Sequence, residues 1–212
     1  MRRLRIILPL IALLLIVPAV PDSNAKNSIN FFLGLKNVDD LSEDETGAEL
    51  DNQFDLGVEM SFGGNDWPVM IAVDLLGSWK DDSFSYEYYY GGYYYLNDYD
   101  VSASTQELDI GIRKTWEFAT NPTRPYIGGG VAGVRGSVNF DVNTPFDSFS
   151  VDDDGFGFGY WIGGGVYWKL GQKFNLGLNV RYSTAEVDFD EFDVSSVDVG
   201  GTHVGLILGW GF

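Results

Sequence analysis

From residue 29 to the end of the chain, apolar side chains fall on alternate positions, and the phase breaks at stretches rich in Gly, Pro, Asn and Asp. Ile29, Phe31, Leu33 and Leu35 begin the pattern. Phe54, Leu56, Val58, Met60 and Phe62 continue it, with Asp55, Gly57, Glu59 and Ser61 on the other face. Val69, Ile71, Val73 and Leu75 form a third segment, and Leu108, Ile110, Ile112, Trp116 and Phe118 a fourth. The fifth runs from Tyr126 to about Phe140. The sixth carries Phe156, Phe158, Tyr160, Ile162, Val166 and Trp168; the seventh carries Phe174, Leu176, Leu178, Val180 and Tyr182. The eighth is the chain end, "HVGLILGWGF". Period two marks a strand with unlike faces, and no segment after residue 28 shows the 3.6-residue period of a helix. The pattern predicts an all-β chain of eight strands.

The connections alternate in length. "GGNDWP" (63–68), "ATNPTRP" (119–125) and "GQK" (171–173) are short and rich in turn formers, whereas 37–52, 80–104, 141–154 and 185–198 are long and acidic. Short turns at one end and long loops at the other describe an antiparallel, up-and-down transmembrane barrel of the outer membrane. No stretch after Ala25 approaches 18 consecutive apolar residues, so no helix of this chain is expected to span a membrane.

Strand register follows from the turns, because a slip of one residue would invert every side chain. A turn about Pro122 sets Phe118 opposite Tyr126, Ile112 opposite Ala132, Ile110 opposite Val134 and Asp109 opposite Arg135. The next hairpin sets Trp168 opposite Leu176 and Ile162 opposite Tyr182. In "SYEYYYGGYYYLNDYD" (85–100), Gly91-Gly92 reads as a two-residue hairpin turn pairing Tyr90 with Tyr93. That register carries down to Leu75 opposite Leu108 and predicts a ribbon protruding beyond the membrane. It also sets Asp74 against Asp109, so Arg113 or Arg135 must intervene. Phe62, Trp116, Phe118, Tyr126, Trp168, Phe174, Trp210 and Phe212 fall near the short-turn ends, where an aromatic girdle meets the interface.

The N-terminal end changes the picture. Arg2, Arg3 and Arg5, an apolar run from Ile6 to Val17, and Ser23-Asn24-Ala25 have the layout of a secretory signal peptide. Cleavage after Ala25 is expected, leaving 26–212 as one barrel domain. Losing residues 1–25 removes three Arg and one Asp from the 13 basic and 31 acidic residues, giving a mature net charge of −20. That balance excludes nucleic acid as a partner, since binding phosphates takes clustered Lys and Arg. With 16% aromatic residues the chain is not of the disordered acidic kind. The absence of Cys excludes disulfides and thiolate chemistry.

The signal peptide, the eight alternating segments and the aromatic final residue together resemble small Gram-negative outer-membrane barrels of the OmpA-transmembrane and opacity-protein type. "PYIGGGVAG" (125–133) is similar to a strand following a periplasmic turn in that group. The resemblance implies outer-membrane lipid as surroundings and recognition of Val204, Leu206, Leu208, Trp210 and Phe212 by the barrel-assembly machinery. This chain stops at the barrel, so the peptidoglycan binding of the OmpA type does not carry over.

Four sets of residues are candidates for chemistry. Gly128, Gly130 and Gly133 match G-x-G-x-x-G but lack the following helix a dinucleotide site needs, and read as relief of crowding in a small barrel. Asp55, Asp74, Asp109, Arg113, Arg135, Arg181 and His203 face inward at mid-depth and are expected to form a salt-bridged plug, or the gate of a narrow pore. His203 has no nucleophile and acid at a recognisable spacing and reads as part of that filling, so no catalytic residue is expected. Tyr86, Tyr88, Tyr89, Tyr90, Tyr93, Tyr94 and Tyr95 form the ribbon, either as its own packing or as a contact surface for an extracellular ligand. The long loops hold 23 of the 30 mature acidic residues, yet "DDLSEDETGAELD" and "SVDDDG" match no defined calcium loop, so neither a metal nor a cofactor is expected. The expected role is a non-enzymatic structural or surface-interaction protein, with a narrow channel for small solutes or lipophilic compounds as the alternative.

Overall fold

In the computed structural model, residues 27–38, 50–64, 66–118, 121–144, 146–171, 173–189 and 194–211 are described. The expected signal peptide, most of the first and part of the last long acidic loop, and Phe212 lie outside them. Among the described residues nine strands form: β1 (Ser28–Asn37), β2 (Asn52–Phe62), β3 (Met70–Tyr90), β4 (Tyr93–Thr115), β5 (Thr123–Asn143), β6 (Ser148–Leu170), β7 (Phe174–Phe189), β8 (Val194–Asp198) and β9 (Gly201–Gly211). All pairings are antiparallel between neighbours in the ring; β9 lies between β7 and β1, and β6 pairs with β7, so eight strands close on themselves. The short β8 pairs with β7 alone, across an irregularity between Val187 and Phe189. Closure matters because an open sheet edge in hydrocarbon would leave backbone groups with no partner.

The alternation read from sequence sorts side chains between lipid and lumen. Phe31, Leu33 and Leu35 of β1 and Val204, Leu206, Leu208 and Trp210 of β9 point outward, while Phe32, Lys36, His203 and Ile207 are buried inside. β1 and β9 are 10 and 11 residues long, the length that crosses a bilayer core at a tilt near 45°. Trp210 packs edge-on against Phe174 at 4.5 Å, and Lys173 lies over the Trp210 ring, in the girdle at the short-turn end.

Height is unequal around the ring. β4 and β6 have 23 residues each, about a dozen more than β9, or roughly 40 Å of further strand. The stretch 80–104 forms the expected ribbon, and 141–154, expected as a loop, is likewise largely ladder. β3 and β4 pair without interruption from Met70↔Arg113 to Tyr90↔Tyr93, and β5 and β6 from Thr123↔Trp168 to Asn143↔Ser148. Gly91 and Gly92 have φ of 60° and 91°, the left-handed conformation a type I′ turn requires at both central residues.

Two registers match expectation: Trp168↔Leu176 with Ile162↔Tyr182, and Leu75↔Leu108 with Asp74↔Asp109. The β4–β5 register does not. Asp109 pairs with Ala132 and Ile110 with Val131, an odd shift from the expected pairing, and it inverts β5. Ile127 and Val131 face lipid, whereas Tyr126, Ala132 and Val134 are buried in the lumen. The reason is the turn: β4 stops at Thr115, and a tight bridge from Phe118 to Asn121 replaces the symmetric hairpin about Pro122. Tyr126 therefore leaves the girdle, and Arg135 leaves the lumen.

Candidate functional site

The lumen is filled by polar side chains at two levels. On the level nearer the short turns, Asp74 and Asp109 stand directly opposite each other on β3 and β4, a repulsive pair unless cations reach both. Arg181 of β7 supplies them: its Nη2 donates to Asp74 Oδ2, and its Nη1 lies 2.9 Å from Asp109 Oδ2. Arg113 donates from Nη2 to the same Asp74 oxygen at 2.7 Å and from Nη1 to Ser61 at 2.9 Å. Glu59 closes the group, 3.8 Å from Arg181 and 3.9 Å from Arg113, and accepts from Asn179 Nδ2 at 2.6 Å. Asn179 also donates to the Tyr126 hydroxyl at 2.7 Å. Each guanidinium lies over an aromatic face, Arg181 on Trp161 at 4.6 Å and Arg113 on Tyr126 at 5.4 Å.

One step of the pleat nearer the loops, Lys36 Nζ donates to Thr105 at 3.0 Å and to the Val199 carbonyl at 2.8 Å, with Glu107 at 3.6 Å. His203 Nδ1 is 2.6 Å from Asp55, and its Nε2 is 3.3 Å from Ser183 Oγ and 3.6 Å from Glu107. The strand positions explain the convergence: Lys36 pairs with both Gln53 and His203, and His203 with Arg181, so adjacent strands place inward residues side by side. Beyond this level, apolar side chains close the mouth. Val134, Val187, Phe189 and Val199 share one cluster, which reaches down to Trp161 at Arg181; Val38, Leu50, Val101 and Ala103 share another.

Of the seven residues expected inside, Asp55, Asp74, Asp109, Arg113, Arg181 and His203 are buried there. Arg135 is not: it points outward and donates to Asp154 from Nε and Nη2 at 3.1 and 2.9 Å, with both side chains more than half exposed. The cation between Asp74 and Asp109 is thus Arg181, with Arg113 a second cation at Asp74. Sequence reasoning missed Lys36, Glu107, Asn179 and Tyr126 and left Glu59 out of the network. Parity would have found most of them, since Glu107 is in phase with Asp109, and Glu59 with Asp55.

Ser183, His203 and Asp55 stand in the order of a serine-hydrolase relay, a constellation not visible in the sequence. The hydroxyl is fully buried and donates to Glu107 at 3.1 Å, which leaves it neither free nor accessible for attack. The G-x-G-x-x-G glycines all lie in β5, with no helix after them; a Cβ on Gly130 would run into the backbone of Gly111 opposite. Among the described residues, no cluster of three or more His, Asp or Glu is arranged to hold a metal. In the ribbon, Tyr86, Tyr89 and Tyr94 are exposed, Tyr89 and Tyr94 lie 5.0 Å apart, and Tyr88, Tyr90, Tyr93 and Tyr95 lie on its paired backbone.

A closed eight-strand ring, lipid-facing alternation and a filled lumen identify the architecture; family membership rests on comparison. The family model described as outer membrane protein beta-barrel domain matches residues 7–212. The chain belongs to this outer-membrane β-barrel family. Its fold is similar to that of Neisserial surface protein A, at 11% identity and a TM-score of 0.50, over 90% of this chain and 98% of that one. OprG from Pseudomonas aeruginosa (15% identity, TM-score 0.47, 89% and 96% covered) and a major outer membrane protein from Thermus thermophilus (12%, 0.49, 90% and 100%) are also similar. No curated protein sequence matches the chain. Membership in this family places the chain in the outer membrane.

Proposed function

We propose that this family member is a sealed, non-enzymatic barrel that contributes to outer-membrane architecture and makes surface contacts through its tyrosine ribbon and acidic loops. The observation that carries the reading is the complete burial of Arg181, Lys36, Glu59, Gln53 and His203 across the lumen, beneath an apolar cap. An eight-stranded barrel is just wide enough for side chains to fill, and here they do. Burial of the Ser183–His203–Asp55 relay argues in the same direction, against catalysis. The outward Val204, Leu206, Leu208 and Trp210 of β9 support its recognition by the barrel-assembly machinery, with outer-membrane lipid around the whole apolar belt.

The rival is a narrow channel that opens when the Arg113 and Arg181 pairs rearrange. Its support is that Asp74 Oδ1, Asp109 Oδ1 and Glu107 Oε1 accept no hydrogen bond, so the network is not fully satisfied. Planar-bilayer recording of the refolded chain separates the two. The sealed reading expects no discrete conductance steps, and steps that grow in an Arg113→Ala variant would install the channel in its place. Binding of whole cells to surfaces, with and without residues 84–99, tests the contact role.

A further inference from the structure

The β2–β3 ladder ends at Phe54↔Trp79, yet β3 continues to Tyr90. Among the described residues, no strand pairs with residues 83–90 on the side away from β4. The direction of the spare backbone groups follows from the turn. A two-residue hairpin makes Tyr90↔Tyr93 a hydrogen-bonded pair, so the even-numbered residues bond to β4, and 83, 85, 87 and 89 turn their N–H and C=O groups outward. The Ser83 N–H agrees: it donates at 2.9 Å to the neighbouring Asp82 carboxylate.

Edges of this kind are ordinarily blunted by Pro, by bulges or by Lys. Residues 80–90 contain no Pro, the register shows no shift, and the one Lys stands at the foot. The charge is instead acidic. Asp81, Asp82 and Glu87 lie on the edge strand, with Asp98 and Asp100 on β4 and Asp141 on β5 behind it. A second copy would bring the same sign and be repelled. The two faces also differ. Asp81, Ser83, Ser85 and Glu87 line the outer face, while Phe84, stacked on Tyr99 at 4.9 Å, and Tyr86 line the face that continues the lumen.

We infer that the outer edge of β3, residues 83–90, captures an extended basic polypeptide as an added antiparallel strand, its basic side chains on the acidic outer face and alternate aromatic or aliphatic ones against Phe84 and Tyr86. Main-chain hydrogen bonds supply affinity in this mode and the alternate side chains select the partner. The inference rests on the contact role proposed above and names its partner class.

The test uses the refolded mature chain in nanodiscs and a nine-residue synthetic peptide alternating Lys with Tyr and Val. Three comparisons accompany it: the same peptide N-methylated at alternate positions on one edge and then on the other, the peptide with Glu for Lys, and the variants Ser85→Pro and Ser85→Ala. Ser85→Pro removes an outward N–H without touching the β3–β4 ladder; Ser85→Ala controls for loss of the Ser85 hydroxyl bond to Asp98 at 2.7 Å. The basic peptide is expected to bind, with affinity reduced at least tenfold by Ser85→Pro or by methylation of the pairing edge and changed less than twofold by Ser85→Ala. The Glu peptide is expected not to bind. Equal binding of both methylated peptides and the parent would show attraction by charge alone and overturn strand addition, as would no binding of the parent. Methylation acts on the wild-type protein, so the result does not depend on the Pro variant folding. If removal of residues 84–99 abolishes cell binding while Ser85→Pro leaves it intact, the contact role stands and this inference falls.

Discussion

The two walls of the barrel solve different problems. β1, β2 and β9 stop close to the membrane surface, and their inward residues Lys36, Gln53, Asp55, Glu59 and His203 are completely buried. β3 to β6 rise far above it, and there the same alternation carries exposed Phe84 and Tyr86 on one face and Asp81, Asp98 and Asp154 on the other. In the short wall, charge is enclosed and must be matched ion by ion. Where the tall wall stands above the membrane, charge is solvated and aromatic rings do the packing. An ion pair in this protein therefore counts for what surrounds it rather than for its distance: Arg113–Asp74 at 2.7 Å is enclosed, and Arg135–Asp154 at 2.9 Å is open to solvent.

The sharpest break in that contrast is Arg181→Ala. It takes the bridging cation from Asp109 and leaves Asp74 with Arg113 alone, and removing one partner of a buried pair costs about 3–5 kcal/mol. Urea unfolding in micelles should show a loss of that size or no folded species, and a loss under about 1 kcal/mol would mean that the lumen is wet enough to screen its charges. Next comes Tyr99→Ala, which removes the stack on Phe84 and the 6.0 Å contact with Phe140. About 1 kcal/mol is expected, read as faster amide exchange in residues 84–99 with the barrel transition unmoved. A matching fall in barrel stability would show that the two walls fold as one unit. Arg135→Ala should have the smallest effect, about 0.2–1 kcal/mol and weaker still in high salt, as for other exposed pairs.

Much of this was legible in the chain. Faces of β1, β2, β7 and β9 followed from alternation because lipid demands apolar residues on one side and the lumen accepts polar ones on the other. The ribbon followed from Gly91-Gly92, since a two-residue loop fixes which residues pair across it. β5 failed for a physical reason. Gly128, Gly129, Gly130 and Gly133 blank out its pattern near the turn, and the side chains that remain from Tyr126 to Val134 are apolar on both faces, so there the turn set the phase. That turn is irregular, and a symmetric reading of it moved Arg135 indoors and Tyr126 outdoors. The meeting of Ser183, His203 and Asp55 was invisible because three strands bring together residues far apart in sequence.

The seam between β1 and β9 joins residues 28–37 to residues 202–211, nearly the full span of the chain. The first strand to be delivered to the membrane therefore has to wait for the last before it gains its second neighbour. Insertion of a partly delivered chain would strand a bare edge in oil, so the seal can form only once translocation has brought both ends to the same place.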